Sequence, residues 1–207
     1  MTHANLQVTD YDAVGGPQLD DLSVLSAPLS EVMTQELDGA CLALGLTPDE
    51  ILLAALGRTI HRTIGSGTVG VDVPGYGTKV YPVALTCEGP DTVTASELLA
   101  GVHHTVGALS IHRAVYGVPP DSEMRPESDL LFVYGDKASD LAATGHLLEL
   151  RAHRSGDVIV LDWRYDARSF EAYTVEELSE QFAYGLIELT SEATAPILAS
   201  TELAMAR

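Results

Sequence analysis

Apolar residues recur along the chain at two spacings, and these spacings predict its helices and strands. Helical spacing predicts an early helix at about Leu29–Leu44 and three further helices, beginning near Thr47, Thr94 and Thr174. Each of these threonines is followed three residues later by glutamate, a pattern in which the two side chains satisfy exposed N–H groups at the helix start. We therefore expect four helices, each with one buried face.

Runs rich in β-branched residues predict five strands between the helices. They are Val69–Val73, Val80–Cys87, Leu130–Tyr134, His146–Arg154 and Val158–Tyr165. The last two are separated by Ser155, Gly156 and Asp157, which predicts a hairpin because glycine adopts the positive φ of a tight turn. Helices interspersed irregularly among strands favour a mixed-sheet α/β sandwich, of the α+β kind, over a doubly wound fold.

The length of 207 residues and the hydrophobic fraction of 46% are typical of a single globular domain. Residues 1–25 are rich in Asp and Gly without sustained periodicity, so we interpret them as an arm or linker. Residues 26–192 form the predicted lobe, and residues 193–207 a tail. No apolar run approaches the length of a membrane span, and the start resembles no secretory signal, so we expect a cytoplasmic protein.

Thirty acidic residues against eleven basic ones give a net charge of −19, without blocks of like charge. This acidity excludes nucleic acid and anionic membrane as favoured partners, because both require a basic patch. The two cysteines, Cys41 and Cys87, lie among apolar neighbours and are expected to be free thiols. No cluster of His, Cys or Asp has the spacing of a metal site, and we predict no cofactor.

The order of these segments resembles the second lobe of condensation and epimerization domains of nonribosomal peptide synthetases. The stretch from Thr47 to Gly77 is similar to the helix and strand that open that lobe. The step Tyr81-Pro82-Val83 resembles the aromatic-Pro-Val step of epimerization domains, and residues 129–137 resemble their Leu-Phe-Asn-Tyr-Leu-Gly strand. The resemblance is collinear over about residues 25–192. It implies a chloramphenicol-acetyltransferase-like fold, in a chain long enough for one lobe.

The catalytic motif of that family, His-His-x-x-x-Asp-Gly, does not occur in this sequence. His103 and His104 are adjacent, but no Asp-Gly follows them and they lie in a predicted helix. In the epimerization turn, the position of the family's proton-handling glutamate is occupied by Pro74, which cannot exchange a proton. The resemblance therefore implies a retained scaffold without the family's reaction centre.

If the chain is an enzyme, its candidate catalytic residues are Asp72, Tyr76, His103 and His104, and its candidate substrate-binding residues are Tyr81 and Tyr134. Asp72 alternates with Val71 and Val73, so it faces away from both. A carboxylate there serves acid–base catalysis only if its surroundings tune it. Solvated or hydrogen-bonded positions for Asp72, and packing roles for Tyr76 and the histidine pair, are the alternative interpretations.

Two functions remain open. The first is an auxiliary, non-catalytic protein of natural-product biosynthesis that binds a partner through its exposed inter-lobe face, either as a homodimer or with a separate first-lobe or assembly-line protein. The second is a small epimerase, acyltransferase or cyclase acting on a carrier-bound or free aminoacyl or acyl substrate. A carrier protein with a phosphopantetheine-bound substrate is a further possible partner. Carrier proteins are themselves acidic, so their docking requires a local basic patch from Arg113, Arg125, Arg151 and Arg154.

Overall fold

The computed structural model describes residues 5–74, 80–116, 128–135 and 145–193, and over 109–116 the backbone alone. All five predicted strands and all four predicted helices are present. A sixth strand, β1, begins at Leu22 inside the segment interpreted as an arm, where serines alternating with apolar residues give a weak signal. The elements are β1 (Leu22–Pro28), α1 (Glu31–Leu44), α2 (Pro48–Thr63), β2 (Gly67–Pro74), β3 (Val80–Cys87), α3 (Ala95–Tyr116), β4 (Leu130–Tyr134), β5 (Leu148–Ser155), β6 (Val158–Asp166) and α4 (Ala172–Glu192).

The strands form one mixed sheet in the order β1-β6-β5-β4-β2-β3. The central strands β2, β4 and β5 are parallel, and the other neighbours pair antiparallel. The β5–β6 hairpin closes with Ser155 opposite Val158, and Gly156 has a φ of 61°. The predicted mixed-sheet α/β fold is confirmed.

The helices cover one face of the sheet, and that face carries the main core. Alternate residues of the strands point into it, among them Val71, Phe132, Leu150 and Trp163, each 2% exposed or less. The Trp163 ring meets Phe182 of α4 edge-on, with centroids 5.9 Å apart. Each large side chain buried here contributes on the order of 1.5–3 kcal/mol. The core therefore fixes which residues remain on the opposite face.

Helix α2 is the centre of the helix layer. Gly57 allows its approach to the sheet, because a Cβ there would lie 2.6 Å from the carbonyl oxygen of Thr86. Arg58 of α2 is fully buried, and its Nε lies 2.7 Å from Oε1 of Glu188 on α4. The same guanidinium donates to the carbonyl oxygens of Glu88 and Val93. These contacts satisfy a buried charge, which would otherwise be strongly destabilising.

The predicted start of α2 is confirmed and that of α4 is wrong. Glu50 accepts the N–H of Thr47, and Pro48 occupies the first turn of α2. Helix α4 instead begins at Ala172, so Thr174 lies inside its first turn. No neighbouring side chain caps this helix. Its start is completed by the arm, whose Asp10 accepts the N–H of Glu171 at 2.8 Å and the hydroxyl of Thr174 at 3.1 Å.

Residues 5–21 lie against the lobe. The backbone N–H groups of Asn5 and Leu6 donate to the carbonyl of Thr68, and Val8 is buried in the core. Farther along the arm, Arg168 donates to the carbonyl of Gly16. The arm therefore contacts both strand β2 and the start of helix α4.

None of the described helices is both long and apolar enough to cross a membrane by itself. Helices α1 and α2 together meet the length and composition required, but they are bent by 112° relative to each other.

Candidate functional site

Asp72 occupies the middle of the sheet on the face away from the helices. It lies on β2, opposite Pro82 of β3 and beside Leu131 of β4. Its side chain has no solvent exposure, and its Oδ2 lies 2.8 Å from Nε2 of His146, which is equally buried. The solvated alternative for Asp72 is therefore wrong, and the hydrogen-bonded alternative is confirmed.

The Asp72 carboxylate also joins the starts of two neighbouring strands. The N–H of Ser128, two residues before β4, donates to Asp72 Oδ2 at 3.4 Å. His146 precedes β5, where Leu147 and Leu148 donate their N–H groups to the carbonyl of Asp129. A carboxylate that accepts hydrogen bonds from both segments stabilises their positions on the sheet. This arrangement can hold strand ends together without any contact to a substrate.

The same face of the sheet carries a second acid–base group on β5 and β6. Glu149 and Arg151, each 5% exposed, form an ion pair of 2.9 Å, and Arg164 approaches Glu149 to 3.7 Å. Between these charges and Asp72 lie Leu131 and Val133 of β4, both fully buried. Buried charges of this kind are tolerated because they are paired.

His103 and His104 lie on α3, in the helix layer and not on the Asp72 face. Nδ1 of His103 lies 2.8 Å from Oε1 of Glu50, whose other oxygen caps α2. His104 is exposed. The two histidines therefore do not meet Asp72, and His103 has a structural partner. This agrees with the interpretation of the pair as polar residues beside an apolar helical stripe.

Tyr81 and Tyr134 lie at the same end of the sheet, because β2 and β4 run parallel and β3 returns antiparallel to β2. Both tyrosines are half-buried. Tyr134 also hydrogen-bonds Arg154, which forms an ion pair of 2.5 Å with Asp38. Tyr76 lies outside the described residues. The two candidate substrate-binding tyrosines are thus near each other in the fold, and their role stays a prediction.

Within the described parts of the chain, no group of three His, Cys, Asp or Glu residues could hold a metal ion. Burial raises the pKa of the Cys41 thiol to about 11, with a further contribution from Asp38, and that of Cys87 to about 12. Thiols with such values stay protonated near neutrality and are poor nucleophiles and metal ligands.

The sequence did not reveal His146 as the partner of Asp72. The two residues are 74 positions apart, and His146 appears in the sequence only as the first residue of an apolar strand run. Alternation placed Asp72 opposite to Val71 and Val73, which is correct. Alternation cannot predict which residue from another strand lies beside it.

Known proteins similar to this chain are parts of large biosynthetic synthases. Over 225 aligned residues it is 31% identical to a phenolphthiocerol/phthiocerol polyketide synthase polypeptide of Mycobacterium tuberculosis, covering 86% of this chain and 15% of that protein. No family model matches the sequence.

Solved structures give the fold. The epimerization domain from the third module of tyrocidine synthetase B has a TM-score of 0.68 at 17% identity, over 92% of this chain and 52% of that one. The X-domain structure from teicoplanin biosynthesis, solved in complex with OxyB, has a TM-score of 0.66 at 16% identity, over 92% of this chain and 50% of that one.

The chain thus spans about half the length of those two structures and a small part of the synthase. Condensation domains match over a similar extent. This chain therefore has the chloramphenicol-acetyltransferase-like fold of a single lobe, and it resembles the condensation and epimerization domains of nonribosomal peptide synthetases.

Proposed function

We propose that this chain is an auxiliary, non-catalytic condensation/epimerization-like lobe of natural-product biosynthesis that binds a partner. The proposed interface is the sheet face away from the helices, at its β2–β3 side. The similarity to a polyketide synthase polypeptide supports the biosynthetic setting. The partner is a second copy of the chain or a separate protein of the assembly line.

One observation carries the non-catalytic part of the proposal. Asp72, the candidate acid or base, is fully buried with His146, and the candidate histidines lie on the other side of the sheet. Epimerization requires an acid and a base on opposite faces of one substrate carbon. Side chains with no exposed surface cannot contact a substrate in this conformation. The described acid–base groups thus serve the lobe better than they would serve catalysis.

The fold supports the partner-binding part. A lobe that matches half of a two-lobed domain has a surface that the other half covers in the larger protein. Pro82 and Ala84 of β3 are exposed on the proposed face, next to Asp72 and Gly70 of β2. The teicoplanin X-domain, which shares the fold, forms a complex with OxyB. A protein-binding role is therefore compatible with this architecture.

Carrier-protein docking has less support. Arg151 and Arg154, two of the four arginines that a basic patch would require, are paired with Glu149 and Asp38. Arg113 and Arg125 lie outside the described side chains. With a net charge of −19, long-range repulsion of an acidic carrier persists.

The second candidate function, a small enzyme, is favoured by the burial of Asp72 beside an imidazole. A carboxylate shielded from water next to His146 has the ingredients of a tuned acid–base pair. Catalysis would require the lobe to open so that a substrate reaches the pair. An Asp72→Asn variant that folds normally and abolishes turnover of an aminoacyl thioester would establish this alternative over the first.

Light scattering over a range of concentrations tests the interface. We expect a mass near twice the 22.0 kDa of the monomer. Pro82→Asp should return the mass toward the monomer, because a buried charge opposes association. Val32→Asp adds the same charge to an exposed position on α1, in the helix layer, and should leave the dimer intact. A wild-type monomer at every concentration, or equal effects of the two variants, would contradict self-association through this face.

A further inference from the structure

A cavity of about 190 Å³ lies between α2, α3 and the edge strand β3, in the helix layer and apart from Asp72. Its floor consists of apolar side chains that are each at least 94% buried: Leu53, Val83, Leu85, Leu98 and Val102. An enclosed apolar cavity of about 150 Å³ stays dry and accepts a molecule such as benzene. This cavity is similar in size and open at one side, so a molecule of comparable volume fits it.

The rim of the cavity is polar, and its charge is negative. Glu97 lies there with Thr86 and Thr105. Oε2 of Glu97 accepts the N–H and the hydroxyl of Thr94 at 2.9 and 2.8 Å. These hydrogen bonds lower the pKa of the Glu97 carboxyl, which therefore remains ionised at neutral pH. An ionised carboxylate at the mouth attracts a cationic group and repels an anionic one.

We propose that this cavity is a binding site for a small primary amine with an apolar body, either a single ring or a branched aliphatic chain. The apolar body occupies the space above Leu53 and Leu98, and the ammonium group faces Glu97. The site shares no residue with the buried Asp72–His146 pair. It stands whether or not the lobe pairs with a second copy, because its binding requires only one chain.

Three probes of one shape separate the contributions of the cavity and its rim. Benzylamine, toluene and phenylacetate carry a positive, zero and negative charge on the same ring. Each is titrated against the purified chain at neutral pH, and binding is followed by the thermal midpoint and by methyl NMR shifts. We expect benzylamine to bind about two- to fivefold more tightly than toluene, and phenylacetate more weakly than toluene. The shifted methyl groups should be those of the cavity floor.

Gly101 supplies a blocking variant with a matched control. It lines the cavity, and a Cβ added there meets no atom within 4 Å. Gly101→Leu should fill the mouth and weaken all three probes by about tenfold or more. Gly39→Leu makes the same change on α1, where a Cβ also meets nothing, and should leave binding unchanged. Both substitutions favour helix, so both proteins remain folded.

Glu97→Gln tests the rim, because glutamine preserves the cap on α3 while removing the charge. Benzylamine should lose its advantage over toluene in this variant. The amine assignment is overturned if benzylamine and phenylacetate bind equally well to the unmodified protein. The site itself is overturned if no probe binds saturably, or if Gly101→Leu and Gly39→Leu have the same effect.

Discussion

Two carboxylate–imidazole pairs in the described part of the chain have the same separation of 2.8 Å in very different surroundings. Asp72 and His146 are both fully buried, whereas Glu50 is 7% exposed and His103 is 34% exposed. Water competes with the second pair and not with the first. The comparison indicates that burial, and not the distance between the atoms, decides how much each pair matters to the lobe.

The largest effect is expected at the buried pair. His146→Ala removes the imidazole beside a buried carboxylate and should lower the free energy of unfolding by about 3–5 kcal/mol, measured by urea denaturation. The double variant Asp72→Val with His146→Leu replaces both groups by apolar side chains and should recover more than half of that loss. A loss below about 1 kcal/mol for His146→Ala would contradict the role given to burial.

A third carboxylate, Asp166, extends the comparison to a buried acid with a partly exposed partner. Burial alone would raise its pKa, but hydrogen bonds from Arg168, at 2.8 and 3.0 Å, outweigh this and hold the pKa below its usual value. Its contribution to stability is therefore present above about pH 4 and is lost as the pH falls through the folded-state pKa.

Arg168→Ala should accordingly be less stable than the unmodified protein at pH 7, by less than His146→Ala. The difference should shrink below about pH 4, where Asp166 becomes protonated in both proteins. Urea denaturation at pH 7 and at pH 3 measures this. A difference that stays constant between the two values would mean that Arg168 acts through packing and not through the Asp166 charge.

A smaller effect is expected where the arm caps α4. Asp10→Ala removes the acceptor for the N–H of Glu171 and should cost about 1 kcal/mol in urea denaturation. Asp20→Ala removes the same charge from the arm, at a position in the short helical turn at residues 19–21. It should change stability by much less. Equal losses would indicate that total charge, and not the cap, is responsible.

The smallest effect is expected at the exposed end of the comparison. His103→Ala removes the partner of Glu50 but leaves the cap that Glu50 provides to Thr47. The loss should be about 0.2–1 kcal/mol in urea denaturation, as for other partly exposed ion pairs. His104→Ala, at the exposed neighbouring position, is the matched control and should be close to neutral. A loss for His103→Ala as large as that for His146→Ala would end the comparison.

Local patterns in the sequence predicted most of the fold. Periodicity located the helices, and β-branched runs located every strand except β1, whose serines interrupt its apolar residues. The cap of α4 was assigned to Thr174 because the motif is present, although the acceptor that completes this helix is supplied by Asp10. A sequence motif cannot reveal a competitor that lies far away in the chain.

The candidate site was less predictable for the same reason. Resemblance and alternation selected Asp72, but the residues that determine its chemistry come from the segments before β4 and before β5. His103 and His104 were noticeable because they are adjacent, whereas His146 stood alone. The cavity beside Glu97 had no sequence signal, because its walls come from three elements that each carry an ordinary apolar pattern.

The contact between the arm and α4 also has a consequence for how the lobe forms and opens. Asp10 and Glu171 are separated by 161 positions, so their hydrogen bond joins the earliest and latest described parts of the chain. Contacts of such long sequence separation form late in folding, because closing a long loop costs conformational entropy. During synthesis the first turn of α4 emerges long after the arm and finds its acceptor already made. The start of α4 and the arm should therefore exchange their amide hydrogens as one cooperative unit.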